Sequence, residues 1–551
     1  MISFFRNYWL ISQDFWKSKS GIIAILILSF CTLLELINVS LNVYLNHWYV
    51  SFYNAIAQYD KQTVLTQLLI FAGITLAMLF TTFLLYICGQ YLVIWMRKPI
   101  TDNYVSNWLT SKSYNCYKNI YDNPEERISY DIQQFIILSK DLFLTVIHSV
   151  ATLISFSIIL WELSGILSIH FYNYQLNIYG YLFWTAMLLG IINVWAVFRV
   201  GRPLKDLLYS QQKYEADFRY GLAVVRNNKN LIYDNLSEKR EYILSKKIFS
   251  RIIENFYKIT FRKAKIDIVR SFFIQIYSLT GIILALPRYF HKSINFGQIM
   301  QVQSAFYNVI SPMLFLVFWY ENLTQLRTNV TRLYELKKSI NNSSKKHKNI
   351  RIVNDKQKYL LSLKNIYITK SDGYLLQNIN FSLAKGESIF IYGSIGKGKT
   401  SLLKTITGHS NNFEGQIIFN KIPKILFLSH IPYFPEDDFK KATFYPLFTN
   451  LPTDKGFKNI LDFLDIGYLY KFINTTHNWR DILSYGEQQK LRLCKIFIKN
   501  YDLILFDNIT SSLDEKSEQK IYKLLKDKQI SYISASHNDR IRKYHNKIIL
   551  L

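Results

Sequence analysis

Cysteine is scarce in this chain of 551 residues, and Cys31, Cys88, Cys116 and Cys494 stand far apart, with the spacing of neither a metal site nor a disulfide framework. No redox or zinc chemistry is implied. Acidic residues are also few, 39 against 66 Lys and Arg, which leaves a net charge of +27. Lys, Asn, Ile, Tyr and Phe are abundant throughout, so this charge is a compositional bias and says little about a substrate. The nucleic-acid reading that such a charge invites is decided by where the charges lie.

From His47 to Thr63 the only Lys or Arg is Lys61, and Ser164 to Ile178 has none, whereas Arg199 to Lys265 holds sixteen. These segments separate long apolar runs at Gly21 to Leu45, Val64 to Trp95, Leu138 to Trp161, Ile178 to Val200, Ser271 to Leu286 and Gln298 to Tyr320. A bilayer core of about 30 Å takes around 20 helical residues, and most of the runs reach that; the fifth is short and polar-flanked. A soluble protein would have to bury all of them in a very large core. Basic loops lie on the cytoplasmic side, so the pattern predicts six spans, contact with the lipid bilayer, both termini inside, and no role for nucleic acid as a partner.

The expected organisation is an amphipathic elbow at 1–20, a six-span domain at 21–336, a polar linker at 337–358 and a second domain at 359–551. Met1 to Lys19, with Phe4, Phe5, Trp9, Ile11 and Trp16 among charges, reads as an interfacial helix rather than a cleavable signal, the alternative being a plain tail. Lys337 to Lys358 is rich in Lys, Asn and Ser, as linkers are. Ionisable residues inside spans are costly and either line a cavity or pair internally. Glu35 sits mid-way along the first span, and Asp141 and Glu162 lie near the ends of the third. Glu35 is thus either a substrate or proton site or a carboxyl satisfied by a neighbouring helix.

In the second half, the short apolar strand Ile389 to Tyr392 runs into Gly393, Ser394, Ile395, Gly396, Lys397, Gly398, Lys399 and Thr400, and a helix opens at Ser401. This is a complete P-loop. Its glycines let backbone N–H groups face phosphates, Lys399 reaches the β and γ phosphates, and the Thr400 hydroxyl ligates Mg²⁺. ATP with Mg is therefore the expected ligand. Further on, Leu483 to Gln489 precedes a helical run to Ile498 with Ser484 at the N-cap, and Leu505-Phe506-Asp507 is an apolar strand ending in an acid.

Order and spacing of these strings resemble an ABC nucleotide-binding domain. The resemblance makes Ser484 and Gly486 signature residues acting in trans, Asp507 the magnesium-shell aspartate, Ser511 to Asp514 the D-loop, and His537 the switch histidine. An aromatic that stacks on adenine is expected some twenty to thirty residues before the P-loop, where Tyr367 and Tyr374 are both candidates. Three residues of the family pattern are missing. Asn508 replaces the glutamate that polarises the attacking water, His430 replaces the Q-loop glutamine, and Tyr485 stands where the signature has its first glycine. An amide cannot take a proton, and general-base help amounts to about 10² to 10⁴ in rate. Slow hydrolysis is expected.

The membrane half has its own likeness. Asn46-His47-Trp48, Phe52 to Ala55, Asp122 to Ile128 with Asp131, Leu160 to Gly165, Gly201 to Leu204, Glu215 to Arg219 and Pro287 to Phe290 resemble bacterial relatives of the peroxisomal fatty-acyl half-transporters, and Trp479 to Ser484 extends the likeness. That group is described as vitamin B12, bleomycin and antimicrobial-peptide permeases, and its membrane domain is similar to the SbmA and BacA peptide importers. The fold expected is a helical membrane domain of ABC exporter type fused to an α/β P-loop domain. The resemblance implies an ATP-driven half-transporter in a bacterial inner membrane, paired with a second half, identical or different, and moving a hydrophilic small molecule or peptide. The charged loops holding Glu125 to Asp131 and Glu215 to Arg226 are where coupling helices could meet the nucleotide domain. The alternative is a proton-coupled permease whose nucleotide domain only senses ATP; a non-transport ABC protein would lack the spans.

Overall fold

The computed structural model describes residues 2–111, 124–171, 174–315, 319–343, 350–352, 359–370, 373–410, 413–447, 449–509 and 513–551. They form two compact units, Met1–Lys345 and Lys346–Leu551.

The first unit is helical. Helices α1 (Ile2–Trp16), α2 (Lys19–Ala57), α3 (Lys61–Thr110), α4 (Ile132–Ser164), α5 (Tyr181–Gly201), α6 (Leu204–Asn227), α7 (Glu238–Phe290), α8 (Phe296–Met313) and α9 (Tyr320–Ser343) account for most of it. Local chemistry sets several boundaries. Asp60 caps α3 by accepting from the N–H groups of Gln62 and Thr63 at 3.1 and 3.2 Å, and Asn295 with Gln298 forms a capping box at the start of α8. Leu69, Leu76, Phe80, Phe83 and Ile94 on α3 are all exposed, which suits a helix facing lipid rather than water.

Five of these helical stretches are long and apolar enough to cross a membrane. Within the sixth apolar run, α8 carries Pro312 in its last turn and ends at Met313, and α9 begins at Tyr320, with residues 316–318 outside the described ones. Helix α7 has 53 residues, roughly 80 Å at 1.5 Å per residue, far more than a bilayer requires. Its N-terminal half pairs with α6, where buried Asn255 donates to the Leu207 carbonyl and to Gln211 Oε1, each at 2.9 Å. The connection between α4 and α5 is an antiparallel pair of strands, β1 (Ile166–Phe171) and β2 (Tyr174–Tyr179).

Helix α1 buries Ile11 and Phe15 and leaves Phe5 and Trp9 exposed. Lys337 on α9 donates to the Leu10 carbonyl at 2.6 Å. Helix α9 continues to Ser343 and strand β3 occupies Ile350–Ile352, both inside the stretch read from sequence as linker.

The second unit holds two sheets. One is parallel, in the order β11-β6-β10-β9-β8, from Lys547–Leu550, Ser388–Tyr392, Ser531–Ser536, Leu503–Asp507 and Ile425–Leu428. The other, in the order β3-β7-β4-β5, combines β3 with Phe413–Phe419, Tyr359–Lys370 and Gly373–Ala384. Side chains alternate along a strand, so each parallel strand feeds two cores. Ile389, Ile391, Leu503, Leu505 and Ile533 pack with α10 (Lys399–Ile406) and the second sheet. Phe390, Ile504, Phe506 and Tyr532 face the helical side with Leu491, Tyr522 and Leu525. Strands buried on both faces read as continuous apolar runs, and β9 and β10 are buried throughout. A fully buried Leu or Phe contributes about 1.5–3 kcal/mol, so this sheet is a rigid base for the loops at its C-terminal edge.

Candidate functional site: a phosphate cradle at the sheet edge

Strands β6, β10 and β9 are neighbours, so the P-loop, His537 and the pair Asp507-Asn508 emerge along one edge. Ligands bind at this carboxyl end of parallel sheets. Gly396 and Gly398 have φ of 86° and 84°, a left-handed conformation that side chains resist. A Cβ at Gly398 would also approach Leu375 and Leu376 to 3.1 Å. Residues 394–397 are exposed.

Lys399 Nζ donates to the carbonyls of Gly393 and Ser394 at 2.6 and 2.8 Å, spanning the loop. Partial burial lowers its ammonium below the ordinary lysine value, with Asp507 pulling the other way. Thr400 Oγ1 donates to Asp507 Oδ1 at 2.8 Å, while the second oxygen of this buried carboxylate makes no hydrogen bond among the described residues. Buried polar atoms are rarely left unpaired. A hydroxyl and a spare carboxylate oxygen side by side form the hard oxygen donor set that magnesium prefers, so the residues present fit the ion.

Asn508 adopts the left-handed region, with φ of 53°. Its N–H donates to the Ala535 carbonyl at 2.9 Å, and Ser536 Oγ donates to its Oδ1 at 3.3 Å. The side chain is thus tied to the end of β10, beside exposed His537. Asp514 caps α12 (Glu515–Asp527) by accepting from Ser517 N and Oγ at 3.1 and 2.7 Å. The Ser517 hydroxyl bond is the main reason its carboxyl is held down at about 2. Ser511 and Ser512, the rest of the expected D-loop, lie outside the described residues, as do Cys116, Asp122 and Asn123.

Ser484 caps α11 (Tyr485–Leu493) in a reciprocal box with Glu487: Glu487 N–H meets Ser484 Oγ at 3.3 Å and Ser484 N–H meets Glu487 Oε2 at 2.7 Å. Gly486 faces open space. The Tyr485 hydroxyl lies 3.2 Å from His430 Nδ1 and 3.2 Å from the His430 carbonyl. Of the two adenine candidates, the Tyr367 and Tyr374 rings are 5.4 Å apart, and Tyr374 adjoins Leu375, which abuts Gly398.

The chain belongs to the ABC transporter family. Residues 10–290 match the family described as ABC transporter transmembrane region 2, and residues 376–511 match the one described as ABC transporter. The transporter is 28% identical to the inner membrane ABC transporter ATP-binding protein YddA of Escherichia coli, over 95% of this chain and 92% of that one. It is 23% identical to the human lysosomal cobalamin transporter ABCD4, over 85% and 81%. The fold matches a bacterial Atm1-family ABC exporter solved with ATP bound, with a TM-score of 0.79 at 15% identity, covering 96% and 94% of the two chains. One multi-pass membrane unit and one ATP-binding domain make the chain a half-transporter.

Several lineage strings turn out to be packing contacts. Asn46 donates to the Gln301 carbonyl at 3.0 Å, and Asn54 accepts from the N–H of Gly297 at 2.9 Å, where a Cβ would run into the Val50 carbonyl. Arg288 donates to the Leu163 carbonyl, joining Pro287-Phe290 to Leu160-Gly165. The acidic segment after α3, helical over Pro124–Asp131, buries two of its charged side chains. Asp131 is 0% exposed and pairs with Arg332 Nε on α9 at 3.0 Å, while Arg127 donates to the Arg332 carbonyl at 2.7 Å and pairs with Glu335 at 3.5 Å. Arg332 and Glu335 sit in a polar part of a long helix, and nothing in local sequence signals that they would draw this loop inward. Inside the spans, Glu35 Oε2 lies 3.1 Å from His148 Nδ1 on α4, a partner that sequence reading missed. Also unanticipated are Gln489 and Arg492, whose spacing from Tyr485 puts all three on one face of α11.

Proposed function

We propose that this half-transporter pairs with a second copy, binds Mg-ATP between the two nucleotide domains, and hydrolyses it slowly. Lys399 and the P-loop N–H groups hold the phosphates. Thr400 and Asp507 hold magnesium, which when bound offsets phosphate charge. Ser484 and Gly486 contribute from the other copy through the helix N-terminus, Asp514 shapes the D-loop, His537 contacts the γ-phosphate, and Tyr374 stacks on adenine. A different partner half would supply a second site of its own composition. The observation that carries the reading is the hydroxyl–carboxylate pair of Thr400 and Asp507 followed directly by Asn508, an amide at the position where the family has its glutamate.

Closing of the domains on ATP switches the membrane pore and slow hydrolysis resets it, with the protein in a bacterial inner membrane and its nucleotide domains and both termini in the cytoplasm. The cargo is a hydrophilic compound such as a corrinoid or peptide, moved inward; the likeness to the human lysosomal cobalamin transporter supports the corrinoid. Uptake of labelled cobalamin and of a labelled peptide into ATP-loaded proteoliposomes tests this, with loss of uptake in Lys399→Ala expected.

A second reading, a proton-coupled permease with an ATP sensor, is favoured by Asn508 together with the Glu35–His148 contact of 3.1 Å inside the spans. Uptake that collapses with a protonophore yet ignores Lys399→Ala would replace the first reading with the second.

A further inference from the structure

Two of the positions that depart from the family pattern touch each other. Tyr485 begins α11 and His430 follows β8, 55 residues earlier in the chain. The tyrosine hydroxyl meets the histidine ring and its carbonyl, and the two rings stand edge to face with centroids 6.0 Å apart. One and two turns further along the same helical face, Gln489 Nε2 donates to the His430 carbonyl at 2.9 Å and Arg492 donates to the Ser429 carbonyl. Both of these donors are buried. Residues at i, i+4 and i+7 lie on one stripe of a helix, so a single face of α11 reads the backbone that ends β8.

The arrangement explains how a bulky ring is accommodated at the start of this helix. Tyr485 is directed sideways onto its own domain rather than across Gly486, whose Cβ position is open. A phenol that merely replaced a glycine would crowd the helix N-terminus; this one is moored by its hydroxyl.

We infer that Tyr485 is a positioning residue: moored on His430 of its own domain, it makes the first turn of α11 and the loop after β8 move as one body, and so fixes how Ser484 is presented to ATP. His430 then acts as the anchor of a strap rather than as a group on the attacking water. The inference rests on the ATP-clamp reading above.

The test uses the full-length transporter in lipid nanodiscs, with MgATP as the probe and both KM and kcat read. Tyr485→Phe keeps the ring and removes the mooring, and should raise KM about fivefold, the loss of one hydrogen bond, with kcat changed less than twofold. His430→Ala should do the same, the double variant should fall little further than the worse single one, and His430→Gln, whose amide meets the hydroxyl, should recover most of the loss. Partial unfolding would lower kcat and leave KM alone, so the split separates positioning from stability. An unchanged KM in Tyr485→Phe, or additive effects in the double variant, would overturn the strap while leaving the clamp intact. A wild-type protein with no affinity for MgATP would sink both.

Discussion

Replacing Asn508 by glutamate tests the chemistry of the site in one step. The backbone there is left-handed, with φ of 53°, and its N–H bond to the Ala535 carbonyl is independent of the side chain. Asparagine tolerates this conformation better than glutamate, and the exchange costs roughly 1 kcal/mol of strain. The Ser536 hydroxyl that now donates to Asn508 Oδ1 at 3.3 Å can donate equally well to a carboxylate. Glutamate therefore gains a proton acceptor without losing its tether. General-base help is worth about 10² to 10⁴; strain and imperfect placement reduce that, and at least a tenfold rise in kcat is the expected outcome. The assay is steady-state ATPase in nanodiscs at saturating MgATP, with Asn508→Gln as the control that lengthens the side chain and keeps the amide. An unchanged turnover in Asn508→Glu, with its thermal midpoint and MgATP affinity intact, would refute the argument that the missing base limits the rate.

Lys399→Ala should weaken MgATP binding roughly 10- to 100-fold, the range for one charge-assisted bond of ~1.5–3 kcal/mol, and titration calorimetry would reveal a failure to do so. Arg332→Ala leaves Asp131 buried without its ion partner, a change worth ~3 kcal/mol or more, so the detergent-solubilised protein should melt several degrees lower; adding Asp131→Asn should restore much of the loss, and equal melting of all three would contradict the pairing. His545, bonded to Ser534 Oγ at 2.8 Å and the Ile541 carbonyl at 2.9 Å, is held neutral by burial, which pushes its pKa down to about 4 from 6.5. The unfolded chain takes up this proton first, so stability falls as pH drops from about 6.5 towards 4, by ~3 kcal/mol at most. Chemical denaturation should show that slope in the wild type, and an equal slope in His545→Gln would assign it elsewhere.

The ATP-binding half was legible because its chemistry is local. A phosphate cradle needs consecutive residues on a strand-loop-helix, and Gly393 to Thr400 occupy that geometry in the structure. What sequence could not supply were partners far apart in the chain. Glu35 was recognised as costly, but its contact with His148 spans 113 residues. Tyr485 read only as a replacement for the first glycine of the signature, and only the fold brings it to His430. The segment of Arg127 and Asp131 read from sequence only as a charged stretch where coupling helices could lie, and its buried pairing with Arg332 and Glu335 on helix α9 comes from residues some two hundred positions away. Five of the six expected spans were legible from hydropathy as long apolar helices, whereas the end of α8 at Met313, inside the sixth apolar run, was not.

The central claim is that the phosphate site grips ATP while its chemistry is the slow step. Rapid filtration of the nanodisc-held transporter during steady turnover, followed by chromatography of the retained nucleotide, measures this directly. Uncleaved ATP should dominate in the wild type, and ADP should replace it in Asn508→Glu. Retained nucleotide that is chiefly ADP in the wild type would contradict the claim.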